Sequence, residues 1–401
     1  MTAILLSLGP VMGYASEGGN LLLDNITVKG EIRPRYEMVD DDNANSNANA
    51  VTNRLQIGVK ADLFATDWLS GYAEMTDVHN ANDNYNSTNN GQTGYSVVVD
   101  PAQTRLTQSY LDFKLNKTLF RVGRQMVVLD NKRFVGAVNW RQMPQTFDAY
   151  ALVDNSLENL KLLAAYVSQV NTIKAGDSDS YNTDTVLLNA KYKANDALNV
   201  TGYGYLIGSL HDTYGLALTG KAASINYRAE YAKQADASLE TGNQGKPDAD
   251  ADYINLQADM NMSGFLVGAQ YEVLSGTESA DKTAFTTPLA TLHAFNGWAD
   301  KFLATPATGL VDMSLMVGYK SKSFGVAKAI WHDFSSDVSS IDYGSELDLL
   351  YKRAVPGFKN LSGMVKAAMY SAGDDVAAGN SVPLATDTTN VWLMPDNKFS
   401  N

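Results

Sequence analysis

Eight of the ten arginines, Arg33, Arg35, Arg54, Arg105, Arg121, Arg124, Arg133 and Arg141, fall between residues 33 and 141 of a 401-residue chain. A guanidinium is always charged and presents a planar fork of donors. Such a cluster suits binding of anionic or hydroxyl-rich groups rather than bond-breaking. Residues for catalysis are thinly spread. The four histidines, His79, His211, His293 and His332, show no metal-ligand spacing and are expected in loops or near strand ends. There is no Gly-x-Ser-x-Gly elbow, no phosphate-binding glycine loop and no His-Glu-x-x-His. The absence of cysteine excludes disulfides, thiol catalysis and cysteine metal sites. No cofactor is implied, and the chain does not read as an enzyme.

The elements that must position these arginines are strands. Val311, Met313, Leu315, Val317 and Tyr319 alternate with Asp312, Ser314, Met316, Gly318 and Lys320. Period two puts one set on each face of a sheet. The same rhythm runs through Leu55, Ile57, Val59, Ala61 and Leu63, through Ile254 to Met260, and through Phe265 to Val273. About eighteen such segments can be read, among them 26–38, 51–64, 104–115, 118–130, 214–219, 310–319 and 388–397. Their usual length suits a tilted strand crossing a bilayer. The alternation directs Arg33, Arg35, Arg54 and Arg121 inward, with Lys29, Lys60 and Lys114. Inward acids are richer later, at Asp259, Glu272, Asp312, Glu346 and Asp348, with Lys191, Lys193 and Lys366 as exceptions. Opposed charged walls would set a field across a pore. The competing reading is that these groups satisfy one another and stiffen the wall.

Connection lengths also alternate. Ala65–Asp67, Asn116–Thr118, Asp154–Ser156, Asn261–Ser263 and Lys320–Lys322 are tight, whereas 80–103, 234–251, 275–309 and 373–387 are long and polar. A transmembrane antiparallel barrel sorts its loops in this way, with short turns and both termini on the periplasmic side, and a soluble sandwich does not. The hydrophobic fraction of 45% suits a barrel with a wet interior and excludes a bundle of membrane helices. A net charge of -13 argues against a nucleic-acid partner. Loop acids at 40–42, 177, 179, 248, 250, 252, 374 and 375 read as a solvated surface or as cation sites beside lipid headgroups. Asn80–Gln92 reads as a mobile loop. Tyr166, Tyr192, Tyr227, Tyr231, Tyr271 and Tyr319 are placed for an outer aromatic girdle. Residues 1–15 resemble a secretory signal, and 24–401 read as a single barrel domain.

The most distinctive stretch is Gly123–Tyr150. Arg124 breaks the alternation of Phe120 and Val122, which implies a bulge or an inward turn. From Asp130 to Pro144 the pattern is irregular, with Lys132, Arg133, Trp140 and Arg141. This segment is expected to fold into the lumen and narrow it; an ordinary external loop is the alternative.

These residues resemble a known family. Gly123-Arg124-Gln125, Leu129-Asp130, Arg133-Phe134-Val135-Gly136, Trp140-Arg141-Gln142 and Thr146-Phe147-Asp148 are similar to the alginate-export type of outer-membrane porin, as is Phe285–Asp312. The resemblance implies eighteen antiparallel strands in a Gram-negative outer membrane and an arginine-lined pore for passive passage of small polar or anionic solutes, including saccharides. Arg124, Arg133 and Arg141 match the motif positions that would line such a pore, and with the residues read from parity and from the irregular stretch the pore-lining candidates are Arg33, Arg35, Arg54, Lys60, Arg121, Arg124, Asp130, Lys132, Arg133, Trp140, Arg141 and Asp148. Characterised relatives export an acidic polysaccharide, which is the alternative activity; a non-conducting structural or adhesion barrel is the second. Outer-membrane lipid, lipopolysaccharide and the barrel-assembly machinery are the expected partners. Pro395 departs from the pattern, so that either strand eighteen is expected to end early or the terminus is altered.

Overall fold

Alternating strands that bury one face against lipid must pair every backbone group within the sheet, and this sheet does so by closing on itself. The computed structural model describes residues 22–42, 46–239, 247–376 and 384–401. The expected signal, 1–15, lies outside the described residues. The strands are β1 (Leu23–Asp41), β2 (Ala48–Leu63), β3 (Leu69–Asn80), β4 (Gln103–Leu115), β5 (Thr118–Gln125), β6 (Thr146–Asp154), β7 (Leu160–Asn171), β8 (Ser180–Asn195) and β9 (Leu198–Ile207). They continue as β10 (His211–Ala222), β11 (Ile225–Ala235), β12 (Ala251–Met262), β13 (Phe265–Leu274), β14 (Leu310–Ser321), β15 (Gly325–Ser335), β16 (Asp342–Ala354), β17 (Leu361–Ala372) and β18 (Thr388–Ser400). Each pairs antiparallel with the next, and β18 returns to β1, making a closed 18-stranded barrel.

The expected strands are all present. Several limits move: the fifth ends at Gln125 rather than near 130, the first runs 23–41 rather than 26–38, and the tenth runs 211–222 rather than 214–219. The outer face carries the apolar row, with Leu55, Ile57 and Val59 on β2 and Met313, Leu315 and Val317 on β14 all exposed. Near the short-turn rim Phe265, Tyr319, Phe324 and Tyr351 form a chain of ring contacts with centroids 5.2, 5.6 and 5.3 Å apart. Towards the long-loop rim the outward hydroxyls of Tyr166 and Tyr231 donate to Asp184 (2.6 Å) and Asp252 (2.5 Å). Aromatic rings with a wet hydroxyl end therefore mark both margins of the apolar band, as an interface requires.

Two expectations are corrected. The asparagine-rich segment is a packed loop: Tyr85 is fully buried, its hydroxyl donates to the Asp100 carbonyl (3.1 Å), and the Asn90 amide donates to the Tyr85 carbonyl (2.9 Å). Nor does Pro395 end the last strand, which continues to Ser400. The cost appears in the closing ladder. In the register that pairs Ile32 with Asn397 and Tyr36 with Leu393, Pro34 falls opposite Pro395, and the β1–β18 pairing is interrupted over 33–35. The interruption matches a hydrogen-bonded pair in which neither residue has an N–H to give. Pairing of Pro34 with Asn53 on the β2 side is intact.

Replacing Pro34 and Pro395 together by threonine is expected to restore that pair and raise resistance to urea unfolding by about 1–2 kcal/mol. An unchanged or lower unfolding midpoint in the folded double variant would show that the gap does not limit the seam.

Candidate functional site

The loop between β5 and β6, residues 126–145, folds into the barrel and crosses it. Asp130, Lys132 and Val138 have positive φ (47, 73 and 45°), which bends the chain away from strand geometry. Its first half meets the far wall. Arg133 donates to Glu272 of β13 (2.9 Å) and to Asn296 (2.9 Å), while Phe134 packs edge-on against Tyr253 of β12 and against Phe285. Its second half docks on β1 and β2. Arg33 donates to the carbonyls of Asn139 (2.9 Å), Trp140 (3.3 Å) and Arg141 (2.6 Å), and Arg35 donates to the Trp140 carbonyl as well. Arg54 holds the Asn139 side chain (2.6 Å) and pairs with Glu31. An irregular loop leaves carbonyls without ladder partners, and a guanidinium supplies several donors from one side chain. Arg141 completes the network through Glu37 (2.9 Å) and Asp300 (3.0 Å).

The loop between β13 and β14, residues 275–309, follows the other wall. The Asn296 amide donates to Glu272 (2.6 Å) and Asp312 (3.1 Å), and the backbone N–H groups of Trp298 and Ala299 donate to Glu346 of β16. The two loops meet at a ring stack. Trp140 lies parallel to His293 with centroids 4.3 Å apart, and Trp392 of β18 approaches both rings edge-on. His293 Nδ1 lies 2.7 Å from Asp300, and Lys366 Nζ lies 2.7 Å from His293 Nε2 and 3.6 Å from the Trp298 ring centre. Nδ1–H therefore donates to the carboxylate while Nε2 accepts from the ammonium, which requires a neutral imidazole. Burial pushes the His293 pKa down to about 4, against the opposing pull of Asp300.

Most of the expected cluster is brought together, in a different role. Arg33, Arg35, Arg54, Arg133 and Arg141 are no more than 8% exposed. Their guanidinium groups are taken up by the inward loop and by neighbouring carboxylates. The charged walls are bridged by the inward loops instead of facing each other across open space. Arg121 lies under the Tyr110 ring (3.7 Å) and pairs with Asp112 (2.6 Å). Arg124 and Asp148 are corrected more sharply. They face each other across β5 and β6 and pair at 2.7 and 2.9 Å, in the outward rows that hold Phe120 and Val122 on one strand and Tyr150 and Leu152 on the other. The alternation simply continues, and the charges are compensated by direct pairing near the long-loop rim. Asp130 accepts from Asn189 (3.0 Å), and Lys132 offers its carbonyl to Thr291 N–H (3.1 Å). Among the described residues no group of histidines and carboxylates is arranged to hold a metal ion.

In the short-turn half, most of the charged side chains on the inward rows are lysines. On the inward rows of the short-turn half lie Lys29, Lys60, Lys114 and Lys161, then Lys191, Lys193 and Lys221, then Lys320, Lys328, Lys352 and Lys398. Among the described residues only Lys193 and Lys398 of these have a carboxylate partner, Asp196 at 2.7 Å and Asp396 at 3.8 Å. Parity already directs Lys29, Lys60, Lys114, Lys191 and Lys193 inward from the sequence, whereas Lys161, Lys221, Lys328, Lys352 and Lys398 go unread because lysines are spread evenly along the chain. The signal that could have found them is inward parity combined with closeness to a short turn.

A barrel of this strand number, with loops folded inward from the long-loop side, has the porin architecture. Comparison with solved structures agrees. The chain aligns with Pseudomonas aeruginosa OpdO (TM-score 0.71, 13% identity, 94% of this chain and 98% of that one). It aligns similarly with Acinetobacter baumannii OccAB4 (0.71, 14%, 96% and 100%) and with the P. aeruginosa outer membrane protein OpdK (0.72, 11%, 95% and 100%). More particularly, residues 24–178 match the family described as alginate export. That span includes the Gly123–Asp148 motifs and not the second block at 285–312. No curated protein matches the sequence.

The packed loop layer holds His293 neutral, with a pKa below the ordinary 6.5, so it binds fewer protons than a released layer. The His293 contribution to its stability is constant above about pH 6.5, falls as the pH drops from there, and levels off below about 4. Current fluctuations of the reconstituted protein should therefore increase across that window. The increase should be absent in His293→Gln; an identical pH response in the variant would overturn this role.

Proposed function

We propose that the protein is a passive channel of a Gram-negative outer membrane that admits small polar solutes and prefers anions. The observation that carries this is the set of unpaired lysines on the inward rows of the short-turn half. The chain as a whole is acidic, yet its lumenal mouth is basic. In a narrow, low-dielectric passage such a ring raises local anion concentration and lowers that of cations. The constriction of loops 126–145 and 275–309 would then set the size limit, with the buried arginines fixing its shape. Among the aligned proteins, OpdK has been crystallised with vanillate, a carboxylate, and a basic mouth suits that ligand chemistry. Lipopolysaccharide around the outer face and the barrel-assembly machinery during insertion complete the proposed set of partners.

Export of an acidic polysaccharide is the second reading, favoured by the family match over residues 24–178. The same basic mouth would attract a polyanion. The two readings separate in planar bilayers, where an acidic oligosaccharide should block the current of an exporter much more strongly than a single sugar acid does.

For the channel reading, the reversal potential in a salt gradient should show anion preference. Replacing Lys161, Lys191 and Lys221 together by glutamine should lower the anion-to-cation permeability ratio about twofold or more. Replacing Arg54 should alter conductance through the loop without a comparable change of ion preference. Cation preference in the wild type would refute the proposal, and a silent barrel would favour a structural or adhesive role.

A further inference from the structure

Below the loop layer, a cavity of about 420 Å³ lies between the inner faces of β12–β15 and the Asn296–Trp298 segment. This falls within the roughly 300–1,000 Å³ of small-ligand clefts. Its wall is set by register: Gln257 pairs with Gln270, Gln270 with Ser314, and Ser314 with His332. Four inward side chains thus stand in one row across adjacent strands, each about 5 Å from the next.

The rows above and below differ in kind. Above, Glu272 and Asp312 are saturated by Arg133, Tyr253, Asn296 and His332. Below, Gly268 and Met316 carry no polar side chain and give the cavity depth. In the middle row His332 is committed to Asp312 (2.8 Å), whereas Gln257, Gln270 and Ser314 are not. Neither carboxamide, nor the Ser314 hydroxyl, has a hydrogen-bond partner among the described residues, and Ser314 is only 8% exposed. Each of these groups is neutral and offers both a donor and an acceptor. Asp259 and Lys328, of opposite sign, flank the row and favour neither ion. Trp298 adds an aromatic surface, with its backbone N–H already committed to Glu346.

We propose that this row is a subsite for a neutral, hydroxyl-rich solute of mono- or disaccharide size. Vicinal hydroxyls, each a donor and an acceptor, match adjacent carboxamides without requiring a charge, and the C–H face of a sugar ring suits the tryptophan. The inference rests on the channel reading and narrows it: the lysine mouth sorts ions, whereas this row retains uncharged polyols beneath the constriction.

The test uses the full-length protein in planar bilayers, with maltose and gluconate as probes and each variant's own potassium chloride current as its reference. Maltose should reduce the current in a saturable way, and Gln257→Leu with Gln270→Leu should weaken that block about tenfold or more. Ser314→Leu, which fills the row from the wall, should do the same if the double variant fails to fold, as judged by heat-modifiable mobility in detergent. Unaltered maltose block in either folded variant overturns the subsite, as does the absence of any maltose block in a wild-type channel that conducts salt. A wild-type protein that carries no salt current would instead refute the channel reading itself. Gluconate block of equal strength that also depends on Gln257 and Gln270 would overturn the assignment to neutral solutes.

Discussion

Every backbone N–H and C=O that faces lipid must find its partner inside the protein, and that demand governs this molecule. An open sheet would leave two edges unpaired in hydrocarbon. Closing β18 onto β1 removes both and divides each strand into an apolar outer row and a polar inner row. The lapse in the closing ladder, where Pro34 meets Pro395, sits at the seam that closes the ring. The seam is covered from within by the tip of loop 126–145, held there by Arg33 and Arg35.

The same accounting explains the interior. Loops that leave the sheet and enter the lumen carry carbonyls with no ladder to join, and buried unpaired polar groups are costly. Arg33, Arg35 and Arg54 meet that need by donating to the chain between Asn139 and Gln142. Their own charge is compensated by Glu31, Glu37 and Asp100. The arginines are thereby consumed as architecture. Charge that can act on a passing solute is left to side chains in the short-turn half, where no loop folds back to cover them. The acidic residues that dominate the total reside largely at the opposite rim and in the walls behind the loops, so net charge and lumenal charge differ in sign.

Strand positions, outward faces and the sorting of short and long connections could be read directly from the chain. Leu315 and Val317 could hardly face anything but lipid when Ser314 and Met316 alternate with them. The inward placement of Arg54 and Lys60 followed from the same parity. Arg124 did not follow, because it keeps the parity of Phe120 while offering a charge to the outer face. Its compensation by Asp148 depends on how β5 and β6 align, which their separate patterns do not state. The packed state of the asparagine-rich loop was hidden for a similar reason: one buried tyrosine, Tyr85, outweighs a run of polar neighbours.

Local periodicity is a property of neighbours two residues apart, so the amino-acid order alone settled the strands and which of their faces is wet. Partnerships between Arg33 and Arg141, or between His293 and Lys366, join residues 108 and 73 positions apart. Such contacts exist only once the ring has closed and fixed which walls the loops can reach. Tertiary structure therefore decided which cations were buried as anchors and which remained to meet a solute, because burial belongs to the assembled lumen and not to any single strand.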